Sequence, residues 1–106
     1  MPDRVTKLNS LLQEEISLFY QREAPEVFFT ITRVNTSPDM HEARVWVSFI
    51  DKRQSSLEIL THHLGPLGKH LGKRLRLRRI PHIQLTLDTG MEYAEHISEV
   101  LQRDKK

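Results

Sequence analysis

Six cations fall within eleven positions of this sequence, Lys69, Lys73, Arg74, Arg76, Arg78 and Arg79, and no acidic residue lies between Glu58 and Asp88 to answer them. That stretch carries +6. The rest of the chain has ten Lys and Arg against fourteen Asp and Glu, so a net charge of +2 conceals a basic patch on a mildly acidic body. Ammonium and guanidinium groups gathered without carboxylates repel one another unless an anion neutralises them, and a run of phosphates does so well. A polyanion is the partner this pattern predicts, and six neutralised phosphates would give a log-affinity against log-salt slope of roughly −4 to −5. The bland alternative is a solvated helix face on which Arg74, beside an apolar stripe, lays its stem over the core.

Other chemistry is sparse. With no cysteine there is no thiolate, no disulfide and no Cys-ligated zinc. His62, His63, His70 and His82 share the acid-free stretch, but their spacing fits no zinc pattern, and positions on helix surfaces or ends account for them. Gly68-Lys69 is followed by His70 rather than Ser or Thr, which excludes the phosphate loop of nucleotide hydrolases. Ser55 with Glu58 and Thr89 with Glu92 read as helix capping boxes, and Glu14-Glu15 as solvent-facing helix residues. No nucleophile, base and orienter stand together, so neither an enzyme nor a cofactor is expected.

Two further groups of residues bear on a nucleic-acid partner. Gly65, Gly68 and Gly72 form a stripe beside the cations. Inside a helix Gly68 and Gly72 each cost about 1 kcal/mol against alanine, so something must require their smallness. Close packing of a neighbouring element is the favoured reason; the functional one is that Gly65 and Gly68 let phosphate approach the amides that open the helix. Trp46, with Arg44 on the same strand face and Arg33 placed across a hairpin, could stack on a base, unless the ring is merely covered by those cations. Phe28 and Phe29 are expected in the core. Aromatic residues are only 7% of the chain, too few for a platform of many rings.

The elements that would hold these residues follow from periodicity. Val5, Leu8, Leu12, Ile16 and Phe19 recur at three and four and predict a helix from Arg4 to Arg22, closed by Pro25. Residues 27–34 and 43–50 predict a hairpin around the turn cluster 35–39, with Ala43, Val45, Val47 and Phe49 alternating inward. Leu57, Leu60 and Leu64 mark a second helix, interrupted at Gly65-Pro66. A third runs from Pro66 to about Arg76, with Leu67, Leu71 and Leu75 opposite Lys69, Lys73 and Arg76. Residues 82–88 alternate as a third strand, and Ala94, Ile97, Val100 and Leu101 predict a last helix. One hundred and six residues suit one domain. The class is α+β, a three-stranded sheet with helices packed on one face in the order α-β-β-α-α(kinked)-β-α, which is the arrangement of a type II KH-like RNA-binding domain. No apolar run approaches the ~20 residues of a membrane span, and the first residues lack a signal peptide's apolar core, so a cytoplasmic protein without a membrane partner is expected.

Particular residues now make the chain resemble a known family. Asp39-Met40 followed by Ala43-Arg44-Val45-Trp46-Val47-Ser48-Phe49, then Leu71-Gly72-Lys73-Arg74-Leu75-Arg76-Leu77-Arg78 with Pro81 three residues on, and Asp88 ahead of an amphipathic segment, are similar to ribosome-binding factor A. The resemblance covers nearly the whole of this single domain, residues 1–106, from the first helix to Leu101, and the Leu-Gly-Lys to Arg stretch with the downstream proline is its most specific part. It implies a non-enzymatic factor that binds 16S rRNA on the free 30S subunit and assists its late maturation, acting as a monomer. Within that implication Lys69, Lys73, Arg74, Arg76, Arg78, Arg79, Gly65, Gly68, Arg44 and Trp46 are the RNA-binding candidates. The family's usual Ala-x-Gly kink reads His63-Leu64-Gly65 here, so a different kink packing is expected. A KH-like regulator of other RNAs and a His-dependent metal enzyme or nuclease are the competing readings.

Overall fold

The computed structural model describes residues 3–50 and 53–88. Helix α1, Arg4–Glu23, begins at Asp3, whose carboxylate accepts the Thr6 amide at 2.7 Å and thereby satisfies one of the amides a helix start leaves open. Its buried stripe is Leu8, Leu12, Ile16, Phe19 and Tyr20. The helix stops where Ala24, its amide still bonded to the Tyr20 carbonyl, precedes Pro25.

Strands β1, Phe29–Thr36, and β2, Glu42–Phe49, pair antiparallel, and β3, His82–Leu87, adds in parallel to the other side of β2, giving the order β1-β2-β3. The first strand starts two residues later than expected because the Val27 amide is spent on a turn bond to the Ala24 carbonyl rather than on the ladder. It runs two residues further at its other end, where Asn9 of α1 accepts both the amide (2.9 Å) and the hydroxyl (2.6 Å) of buried Thr36. A bulge at Thr32 shifts the register between Ile31 and Arg33, and Gln13 of α1 donates to the Ile31 carbonyl there at 3.2 Å. Ala43, Val45, Val47 and Phe49 all face the core, as alternation requires.

Helix α2, Arg53–His62, starts early enough that Ser55 lies inside its first turn, so Ser55 is not the cap that its spacing to Glu58 predicted. Helix α3, Leu64–Leu75, follows after His63 alone and accommodates Pro66 in its first turn, where a missing amide proton does little harm. Leu60, Leu67 and Leu71 are fully buried. All three helices cover the same face of the sheet, the one that carries the inward residues of β2. Phe28 departs from expectation: it is 74% exposed, because the segment between α1 and β1 turns it outward, whereas Phe29 packs on the core. The expected last helix and the Thr89–Glu92 cap lie outside the described residues.

The kink is held from the side. Buried Tyr20 donates its hydroxyl to the Leu60 carbonyl at 2.8 Å, and its ring meets His63 edge-on at 6.5 Å between centroids. His63 Nδ1 lies 2.9 Å from the Ile59 carbonyl, so the imidazole folds back on α2. Burial pushes the Tyr20 hydroxyl pKa well above its ordinary value.

Candidate nucleic-acid interface

Helix α3 divides the labour of its faces cleanly. Leu67 and Leu71 are buried against the core, while Lys69 and Lys73 point to solvent. Arg76 is the helix C-cap, in the left-handed conformation with φ 51° and ψ 36° that usually falls to glycine. Arg78 and Arg79 stand exposed in the segment that leads to β3. Among the described residues no carboxylate lies within 4.0 Å of Lys69, Lys73, Arg76, Arg78 or Arg79. Arg79 Nη1 instead faces His41 Nε2 of the hairpin turn at 3.4 Å.

Arg74 differs from the other five. Its guanidinium donates to Glu15 of α1 at 3.3 Å, and His70 reaches the same carboxylate oxygen at 3.2 Å. The Glu15 side chain is only 12% exposed, so it is not the solvent-facing residue that its neighbourhood with Glu14 suggested. The Arg74 hydrogen bond first, and His70 second, hold its carboxyl below the usual range. One signal for this cluster was present in the sequence: Glu15 follows Leu12 by three and precedes Phe19 by four, which places it on the edge of the buried stripe.

Among the described residues, nothing packs closely on the glycines, contrary to expectation. A Cβ at Gly65 or Gly68 would meet no described atom within 4 Å, and at Gly72 only Ile80 Cγ1 at 3.9 Å, an ordinary contact. Their flank of α3 borders a groove of about 320 Å3, closed on its other side by Ile80, Pro81, His82 and Ile83. A furrow thus lies alongside the cation ridge. The opening of α3 has no side-chain cap from His63.

Trp46 lies on the other face of the sheet. Arg33 is its cross-strand partner, with the guanidinium carbon 4.8 Å from the ring centroid, and that of Arg44 is 5.8 Å away. The structure therefore brings Arg44 and Trp46 together with Arg33, on the sheet face turned away from the helices, while Arg79 of the ridge reaches the hairpin turn at the near end of that sheet. No group of three metal-binding side chains occurs among the described residues. No described helix is long and apolar enough to cross a membrane.

A parallel βααβ unit on a hairpin, with a kinked helix pair and cations on the second helix, defines a KH-like domain of the RNA-binding class. The comparisons agree: the chain matches the ribosome-binding factor A family over residues 4–101, and it belongs to that family. It is 38% identical to ribosome-binding factor A of Natranaerobius thermophilus, over 94% of this chain and 81% of that one. To the Brevibacillus brevis protein it is 35% identical, over 93% and 87%. In three dimensions it resembles the crystal structure of ribosome-binding factor A from Thermus thermophilus, with a TM-score of 0.73 at 23% identity, covering 80% of this chain and 97% of that one. It also resembles a homology model of the Thermus thermophilus factor fitted into a cryo-EM map of a 30S complex, with a TM-score of 0.65 at 25% identity over 74% and 88% of the two chains.

Proposed function

We propose that this protein is a non-enzymatic maturation factor of the small ribosomal subunit, which grips 16S rRNA on free 30S particles in the cytoplasm as a monomer. The observation that carries the reading is the ridge of Lys69, Lys73, Arg76, Arg78 and Arg79, exposed and, among the described residues, without a carboxylate within 4.0 Å, beside the glycine furrow. Phosphates set along the ridge would be neutralised by the cations, and the backbone could approach α3 closely at Gly65 and Gly68 because no described side chain keeps it away. Arg74 contributes less, since Glu15 already answers it. The Thermus relative's place in a 30S complex supports the choice of particle.

Sedimentation with isolated small subunits, large subunits and whole ribosomes at about 100 and 400 mM salt tests this. Five neutralised phosphates give a slope of roughly −3.5 to −4.5, so the fourfold rise in salt should weaken binding by roughly 130- to 500-fold. Binding confined to free small subunits is expected, because a maturation factor leaves before the subunits join. Equal binding to every particle would favour a general KH-like regulator of RNA instead. Lys73→Glu with Arg76→Glu should weaken binding by roughly 25- to 60-fold or more with folding intact, and unaltered binding would refute the ridge.

A further inference from the structure

The open face of the sheet is not explained by the ridge. Along β2, Arg44 and Trp46 point away from the helices, with Asn35 and Gln84 flanking Arg44, and Arg33 and Thr86 flanking Trp46, in the adjacent strands. Arg33 and Arg44 bring two positive charges to one half-buried indole. Among the described residues neither has a carboxylate within 4.0 Å, and the amides of Asn35 and Gln84 make no side-chain hydrogen bond. Glu42 shares this face and Asp88, just past β3, bonds Thr32 at its edge, but neither pairs with these guanidinium groups among the described residues, and like charges held this close are costly unless an anion completes them.

We propose that this face is a second RNA site, taking an unstacked base of a single strand against Trp46, with the flanking phosphates on Arg33 and Arg44. A planar ring beside two guanidinium groups suits a base and its phosphodiesters. An acidic peptide would satisfy the charges but leave the indole and the neighbouring amides without a role. The proposal rests on the reading of the chain as an RNA binder and adds a partner of different form. The ridge meets backbone phosphates in any geometry, duplex included, whereas the open face needs a free base. Because Lys69 and Lys73 belong to the helical layer and Trp46 to the uncovered face of the sheet, one molecule would bridge two RNA segments.

Trp46 is the chain's single tryptophan, so its fluorescence reports this face alone. The full chain is titrated with oligoadenylate, with an RNA duplex and with polyglutamate, while binding is followed separately by anisotropy of the labelled probe. Oligoadenylate should quench the emission, and the duplex should bind without quenching. Arg33→Gln with Arg44→Gln removes both phosphate contacts and should weaken oligoadenylate by roughly 25- to 60-fold, taking the quench with it. Far-UV circular dichroism confirms that the variant is folded. Oligoadenylate bound with unchanged emission, or an equal loss for the duplex in that variant, overturns the open-face site while leaving the ridge untouched. Quenching by polyglutamate but not by RNA overturns it in favour of an acidic protein partner. Duplex binding that survives Lys73→Glu with Arg76→Glu would instead remove the ridge.

Discussion

Replacing Arg76 by glycine should move stability and RNA affinity in opposite directions. At the C-cap of α3 the backbone sits at φ 51°, where an L side chain costs about 1–2 kcal/mol. Glycine removes that cost but loses about 0.5–1 kcal/mol through its freer unfolded chain. The net gain is about 0.5–1 kcal/mol, or roughly 2–6 °C in Tm for a domain of this size. The same change deletes one ridge cation. Each phosphate contact carries a salt slope of about 0.7–0.9, so at about 0.1 M salt its loss weakens binding roughly five- to eightfold and flattens the slope by that amount. Thermal melts by circular dichroism and subunit sedimentation over a salt series measure both effects. A lower Tm would mean that the Arg76 side chain holds the helix end in a way its exposure does not show. Unchanged affinity with an unchanged salt slope would remove Arg76 from the interface and weaken the case for the ridge.

Gly68→Ala should likewise stabilise, by about 1 kcal/mol, since the new methyl meets open space in a helix; a concurrent loss of affinity would show that RNA occupies the furrow, and full affinity would show that it does not. Leu71→Asp should fail to fold, because an unpaired carboxylate would enter a fully buried site, and a soluble, cooperative melt would mean the helix faces are misassigned. Tyr20→Phe should cost about 1 kcal/mol and remove an alkaline transition. The burial-raised hydroxyl contributes fully below the unfolded phenol value of about 10, and that contribution is lost as pH rises through its higher folded value. Glu15→Gln should blunt acid sensitivity, because the lowered carboxyl contributes above the unfolded value of about 4.3 and loses its effect as pH falls through the folded one; it should also steepen the salt slope by about 0.7–0.9 as Arg74 becomes available to phosphate.

Much of this architecture is legible in residue order because burial and periodicity agree. The stripe from Leu8 to Phe19, the alternation from Ala43 to Phe49 and the opposition of Leu67 and Leu71 to Lys69 and Lys73 each fix one face. The ridge and the Arg33–Trp46 pair followed from those faces. What periodicity cannot supply is the end of an element and the contact across elements. Ser55 has the spacing of a cap, yet α2 begins two residues before it. Phe28 has the composition of a core residue, but the turn after α1 directs it outward. Glu15 looked solvated because its partners, His70 and Arg74, are 55 and 59 residues away. The glycines were assigned to packing because sequence shows their cost but not that no described atom comes within 4 Å of a Cβ at Gly65 or Gly68.

The parallel placement of β3 has a consequence for how the molecule is made. Residues paired across the hairpin turn are as close in sequence as Thr36 and Ala43, whereas every β2–β3 pair, from Glu42↔His82 to Val47↔Leu87, joins residues forty apart. The hairpin can therefore close early and cheaply, but the loop containing α2 and α3 closes only when β3 seats, against a larger entropy loss. On a ribosome synthesising this chain, the cation ridge has its fixed geometry only after Leu87 has emerged. Shorter nascent chains would expose the same charges without the shape, so the grip on RNA should arise with completion of the sheet, late in synthesis rather than gradually along it.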